Sequence, residues 1–89
     1  MRKVILNLDF VDFGKACYDY LNGELITQND RRRIERLKSV VDERAFRRFA
    51  IHYGEKKAMA AIARDEGVAQ SSVSRSISGV EYTIYKDKI

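Results

Sequence analysis

Residues 61–75 read AIARDEGVAQSSVSR, and this stretch decides the predicted fold. Two helices that cross at a sharp angle need a small residue at their contact, a turn residue that accepts positive φ, and an apolar plug from the second helix. Ala63, Gly67 and Val73 supply these features in that order, and Val68 adds an apolar anchor in the turn. The spacing predicts a helix-turn-helix over residues 56–86.

The second helix of this pair is predicted to run from Ser71 to Lys86. A rotation of about 100° per residue places four apolar side chains on one stripe, which must face the core. The opposite face then carries short polar side chains around Arg75, and such a face fits the DNA major groove, which is roughly 12 Å wide. The buried stripe consists of Val73, Ile77, Val80 and Ile84.

Arg75 is the candidate for base readout, because a guanidinium can bond bidentately to guanine O6 and N7. Gln70, just ahead of the helix, can reach a phosphate or an adenine edge. Basic residues on the two preceding helices, including Arg44, are expected to hold phosphates. The predicted DNA-contacting residues are Gln70, Ser71, Ser74, Arg75, Ser78, Lys56, Lys57, Arg47 and Arg48.

Residues 29–64 are predicted to form three further helices. The first covers Asp30 to Val41, with Thr27 or Asn29 as its cap. Asp42 is expected to cap the second, which carries an apolar stripe at helical spacing and ends at Gly54. The third covers residues 55–64. The stripe of the second helix consists of Phe46, Phe49, Ala50 and Tyr53.

The N-terminal 28 residues give a different pattern. Apolar residues alternate from Lys3 to Phe10, which favours a half-buried strand. Asn22-Gly23 is typical of a type I′ hairpin turn, yet residues 15–21 equally suit a short helix. The predicted fold is therefore mainly α: a three- to four-helix bundle with a C-terminal helix-turn-helix and an N-terminal strand or hairpin. Residues 1–28 are taken as part of the same domain as residues 29–89.

The stretch from Asp42 to Lys86 resembles region four of bacterial sigma factors, the promoter-reading C-terminal domain, and its small phage-encoded relatives. The similarity rests on DERAFRRFAIHYGE (residues 42–55), Ile62-Ala63, Gly67-Val68, Gln70-Ser71 and VSRSI (residues 73–77). It covers about half of the chain and implies promoter recognition, with Gln70, Ser71, Ser74, Arg75 and Ser78 facing the groove. Ala69 departs from the usual capping serine of the family, and Glu66 from a usually apolar position.

Composition and charge limit the classes of function that this chain can have. With 89 residues the chain has room for one core. Residues 1–28 carry 3 basic and 4 acidic groups, whereas residues 29–89 carry 14 and 9, so the C-terminal part has a net charge of +5.

One cysteine, Cys17, and one histidine, His52, form no zinc cluster, so no metal or cofactor is expected. No catalytic constellation stands out beyond Cys17 near Asp19, so no enzyme is predicted. The apolar N-terminus is too short and too interrupted for a membrane span, which favours a cytoplasmic protein without a membrane partner.

Two functions are weighed. The first is a transcription regulator that binds a specific double-stranded DNA site. The second is a phage or mobile-element interaction protein that binds a host protein such as RNA polymerase through the same fold. A homodimer would place two groove-binding helices one DNA turn apart, roughly 34 Å.

Two further side-chain groups have open interpretations at this point. The arginines at 31–33 and 36 suit a phosphate clamp or a solvated helix face. Tyr82 and Tyr85 suit packing against the N-terminal segment or a protein-binding patch.

Overall fold

A computed structural model describes the backbone of residues 2–89 and the side chains of residues 10–89. Within this part the chain forms five α-helices and no strand. The prediction of a mainly helical fold is confirmed, with one helix more than the largest number expected. The helices are α1 (Arg2–Leu21), α2 (Gln28–Lys38), α3 (Glu43–Gly54), α4 (Met59–Glu66) and α5 (Gln70–Lys86).

The predicted N-terminal strand is wrong, because residues 3–10 belong to α1. A short apolar run does not separate strand from helix by its alternation alone. The buried residues Phe10, Phe13 and Cys17 recur at intervals of three and four, which is the helical repeat. From Phe10 onward this stripe packs on the rest of the core, and the helix that carries it continues back through residues 3–9.

The hairpin at Asn22-Gly23 is also wrong, and the helical alternative for residues 15–21 is confirmed. Gly23 adopts φ +75°, and its N–H donates to Tyr20 O at 3.2 Å. The Asn22 N–H donates to Tyr18 O at 3.1 Å. These bonds close the carbonyl end of α1 with a left-handed residue, which is a common helix terminator.

The next two helices begin at side-chain caps. Thr27 Oγ1 accepts a hydrogen bond from Asp30 N at 3.0 Å, and Asp42 Oδ1 accepts one from Ala45 N at 2.7 Å. Each cap satisfies an N–H group that has no partner within its helix, and is worth about 1 kcal/mol. The predicted apolar residues Ile34, Leu37, Phe46, Phe49 and Ala50 are buried, whereas Tyr53 of the predicted α3 stripe is half-buried.

The most extensive helix contact joins α1 to α3. A Cβ atom added at Gly14 would collide with Tyr53, and one added at Gly54 would collide with Tyr18. Glycine is thus required at both positions, because the two helices cross closely enough for each side chain to lie against the opposite backbone.

The last two helices are joined by a three-residue turn. Helix α4 begins at Met59, four residues later than predicted, and ends at Glu66, followed by the cap residue Gly67, which adopts φ +71°. The Val68 N–H donates to Ala63 O at 3.0 Å, which closes the end of α4. The predicted stripe of α5 is buried, and it joins residues from the other four helices in one apolar core.

Candidate functional site

The polar face of α5 lies at the surface. Gln70, Ser71, Arg75 and Ser78 are exposed, while Ser74 is half-buried. The buried stripe on the other side of α5 fixes this orientation, because a helix cannot turn its polar face inward without exposing that stripe. Four of the five predicted groove-facing residues are therefore accessible.

The start of α5 carries no side-chain cap. Ala69 occupies the N-cap position with φ −70° and ψ 146°, and no side chain bonds to the first N–H groups of the helix. Ser71 lies inside the helix and does not take over the cap. These N–H groups carry the positive end of the helix dipole, and they lie beside the polar face.

Arg48 is not on the predicted DNA-contacting surface. Its side chain is buried, with 4% of the residue exposed, and its donors are used inside the protein. Nε donates to both carboxylate oxygens of Glu66, at 3.0 and 3.2 Å, and Nη2 donates to Oε1 at 2.6 Å. Nη1 donates to Ser76 Oγ at 2.7 Å and to Ser72 O at 3.3 Å. Arg48 therefore ties α3 to the end of α4 and to α5, and each of its three side-chain nitrogens donates within the protein.

This contact explains the charged residue at position 66. The hydrogen bond from Arg48 holds the pKa of Glu66 below its ordinary value, and the charge of Arg48 acts in the same direction. In the reverse direction, the hydrogen bond to Glu66 raises the pKa of Arg48. Sequence reasoning missed the pair because its members are 18 residues apart and no local spacing connects them.

Two other predicted phosphate ligands on α3 remain exposed. Arg44 and Arg47 border an open groove whose floor includes Ile51 and Val68, both half-buried. The groove runs between α3 and the turn that precedes α5. Both guanidinium groups therefore lie on the side of α3 that faces the turn before the candidate recognition helix.

The two lysines before α4 differ in whether they form an ion pair. Lys57 Nζ forms an ion pair with Asp65, and a hydrogen bond from this lysine lowers the pKa of the Asp65 carboxyl. Lys56 is exposed and makes no ion pair with a described residue. It adopts φ +61°. Of the two predicted phosphate ligands, Lys56 is thus the more accessible.

The four arginines of α2 do not act as one group. Arg33 lies over the Phe13 ring, 4.1 Å from its centroid, and donates to Ile89 O. Arg36 Nη2 donates to Asp87 O at 3.3 Å. These two side chains hold the C-terminal residues against α2, whereas Arg31 and Arg32 point to solvent. The four arginines therefore form neither a single phosphate clamp nor a wholly solvated helix face.

Tyr82 and Tyr85 are 63% and 65% exposed on the C-terminal half of α5. Neither tyrosine is packed on the apolar core to which residues 10–28 contribute, and the rest of the N-terminal segment lies outside the described side chains. Tyr18, Tyr20 and Tyr53 pack against the core, and Tyr20 lies edge-on to Phe46.

The described residues contain no cluster of three or more histidine, cysteine, aspartate or glutamate side chains that could hold a metal ion. Cys17 is fully buried, and burial raises the pKa of its thiol to about 12. The thiol is therefore protonated at neutral pH and is a poor nucleophile. Over the described helices, none is long and apolar enough to cross a membrane.

Comparison with protein-family models, with curated proteins and with solved structures finds no match for this chain. The fold and the surface of α5 are thus what define its class. It is a compact five-helix protein that presents a polar helix face with an exposed arginine.

Proposed function

We propose that this protein is a transcription regulator that binds a specific site on double-stranded DNA, with α4 and α5 acting as a helix-turn-helix. The observation that carries the proposal is the exposed face of α5, where Ser71, Arg75 and Ser78 lie opposite a fully buried apolar stripe. A helix of about 10–12 Å diameter fits a groove roughly 12 Å wide when its outward side chains are short.

Within this proposal, the side chains divide into two roles. Arg75 and Gln70 read base edges, and the serines at 71 and 78 accept or donate hydrogen bonds at close range. Phosphates on either side of the groove are held by Lys56, Arg44 and Arg47, which are exposed. Lys57 contributes less, because Asp65 already neutralises part of its charge.

The net charge supports the same function. The formal charge of the chain is +4, and the described ion pairs leave several cations of α3 and of the α3–α4 loop without an acidic partner. Cations that release counterions from phosphates give binding that weakens with salt. The resemblance to sigma region four points to the same function, and it rests in part on the same residues of α4 and α5.

Selection of bound sequences from a random duplex library at near-physiological salt tests this function. A shared sequence should emerge after a few rounds, and it should bind far more tightly than the starting library. A selected pool without a common sequence, and with no gain in affinity over the library, would contradict the proposal. A palindromic site would in addition indicate a homodimer.

The exposed aromatic pair on α5 favours one second candidate, a phage or mobile-element protein that binds a host protein such as RNA polymerase. Tyr82 and Tyr85 lie beyond the polar half of the helix, and exposed tyrosines are common at protein interfaces. Binding to purified bacterial RNA polymerase should then be lost in a Tyr82→Ser, Tyr85→Ser variant. Equal binding of polymerase by the variant and the original chain, or by neither, would exclude this role.

A further inference from the structure

An open groove runs along the side of α5, between that helix and the residues that join α2 to α3. Val40, Val41 and Ala45 form its apolar wall, and Val40 is 56% exposed. Thr83 of α5 lines the groove as well, and Tyr82 next to it is 63% exposed, so its ring projects into solvent. This part of the surface therefore carries an apolar groove and, beside it, a projecting aromatic ring.

Two opposite charges border the same groove. Asp42 and Arg75 are both exposed, and neither forms an ion pair within the described part of the chain. The carboxylate repels phosphate and the apolar wall has no donor for it, so the groove suits a protein better than nucleic acid. One charge of each sign on one surface matches a second copy of that surface, because a twofold axis brings each sign opposite the other.

A twofold axis near Gly79 also brings the ring to the groove. Arg75 and Thr83 each lie four residues from Gly79, so two antiparallel α5 helices that cross there place Arg75 of one copy beside Thr83 of the other. By the same count, Tyr82 of one copy lies beside Ser76 of the other. Thr83 and Ser76 both line the groove, so the ring and the guanidinium of one copy arrive at the groove of the other.

We propose that this face binds a second copy of the chain in a twofold-symmetric dimer, in which the Tyr82 ring of each copy enters the groove of the other and Arg75 meets Asp42 across the contact. A twofold contact uses the same patch on both sides, so the ring and the groove of each copy are both occupied. Because the patch is small, the contact belongs to the weak class, with a dissociation constant of about 1–100 μM. The dimer covers Arg75 and so limits DNA binding; this consequence rests on the proposed function, whereas the dimer itself does not.

Sedimentation equilibrium without DNA measures the association and the contribution of the ring. Tyr82→Ser should weaken association at least about 10-fold, because each dimer loses two rings from the centre of the contact. Tyr85→Ser is the matched control, since Tyr85 is equally exposed but turned about 60° further from the groove around the axis of α5. It should change the dissociation constant by no more than about twofold.

Exchanged charges test the twofold pairing. Arg75→Glu and Asp42→Lys should each weaken self-association by about 10- to 100-fold, because each dimer then contains two contacts between like charges. An equimolar mixture of these two variants should associate about as tightly as the original chain, since both contacts of the mixed dimer again join opposite charges. Asp42→Lys also removes the cap of α3, so Asp42→Asn, which keeps a cap and loses only the charge, is the second variant and should weaken association by about 2- to 10-fold.

Association of the mixture, beside variants that are each monomeric alone, would establish the twofold contact. An original chain that stays monomeric up to about 1 mM, well above the expected dissociation constant, would overturn the dimer. A mixture that stays monomeric, or equal effects of Tyr82→Ser and Tyr85→Ser, would overturn this pairing of surfaces. Binding of purified RNA polymerase through Tyr82 by a chain that remains monomeric would assign the face to another partner and refute the inference. None of these association measurements uses DNA, so a failed duplex selection would leave the dimer in place, and a monomeric chain would leave the proposed function in place.

Discussion

Arg48 on α3 donates from Nε to both carboxylate oxygens of Glu66 on α4, at 3.0 and 3.2 Å. The arginine side chain is 5% exposed and that of Glu66 is 30% exposed. Since the same guanidinium also bonds to Ser76 Oγ on α5, a single side chain joins the three helices that carry the candidate DNA-binding surface.

Removal of Glu66 is expected to destabilise the protein strongly. Glu66→Ala leaves a buried guanidinium without its charge partner, which should lower the free energy of unfolding by about 2–3 kcal/mol. Because water reaches part of the site, this loss is smaller than that for a fully enclosed pair. Asp65→Ala, a change one residue earlier that breaks an exposed ion pair with Lys57, is the control and should change stability little. Urea unfolding of both variants measures the difference, and equal losses would contradict a special role of the Arg48–Glu66 pair.

The Arg48–Glu66 pair also predicts how the stability of the protein depends on pH. Arg48 lowers the pKa of Glu66 in the folded protein, so the contribution of Glu66 to stability is complete above its ordinary pKa of 4.5. It is lost as pH falls through the lower folded-state pKa, because protonation removes the charge that Arg48 binds. Between about pH 6 and pH 3, Glu66→Gln should lose less stability than the original chain. Parallel stability curves for the two proteins would show that Glu66 does not titrate in this way.

Arg75→Ala is expected to lower affinity for the selected duplex by roughly 1–3 kcal/mol and to relax the preference at one base pair. Arg31→Ala removes the same charge from the exposed face of α2 and is the matched control. A repeat of the selection with each variant, followed by titration, measures both effects. If Arg75→Ala and Arg31→Ala behaved alike, base readout by Arg75 would be excluded.

Lys56→Asn should reduce the slope of log affinity against log salt concentration by about 0.9, since one phosphate contact is lost. Asparagine tolerates the left-handed backbone that Lys56 adopts at φ +61°. Lys88 is also exposed and has φ +54°, so Lys88→Asn is a control with the same chemistry and a similar backbone conformation. The prediction fails if the salt slope of Lys56→Asn equals that of the original chain.

The uncapped start of α5 allows stability and DNA binding to be separated. Ala69→Ser should stabilise the protein by about 1 kcal/mol, and Ala69→Asp by a similar amount, because either oxygen can accept from the first N–H groups. Only the aspartate should weaken duplex binding, since its charge repels phosphate. Ala58→Ser, at the equally uncapped start of α4, controls for the gain in stability. Unfolding and duplex titration of the three variants test this, and undiminished binding by Ala69→Asp would remove the start of α5 from the contact surface.

Local patterns in the sequence were sufficient for much of the fold. Caps at Thr27 or Asn29 and at Asp42, and the stripes of α2, α3 and α5, follow from spacings of three and four residues, and the structure agrees, with Thr27 making the first cap. The accessible positions on α5 follow from the same rule, because burying one face of a helix exposes the other. What this face binds remains a prediction from the residues that it carries.

Tertiary structure alone decided the features that depend on distant residues. The alternation before Phe10 fits strand or helix equally well, and in the structure these residues continue the helix that packs on α3 through Gly14 and Tyr53. The sequence predicts Arg48 to be a phosphate ligand, whereas its contact with Glu66 places it inside the protein. The polar face of α5 was thus determined by the period of the helix, whereas the contacts that hold α5 against α3 and α4 arise only when separate segments meet in the folded chain.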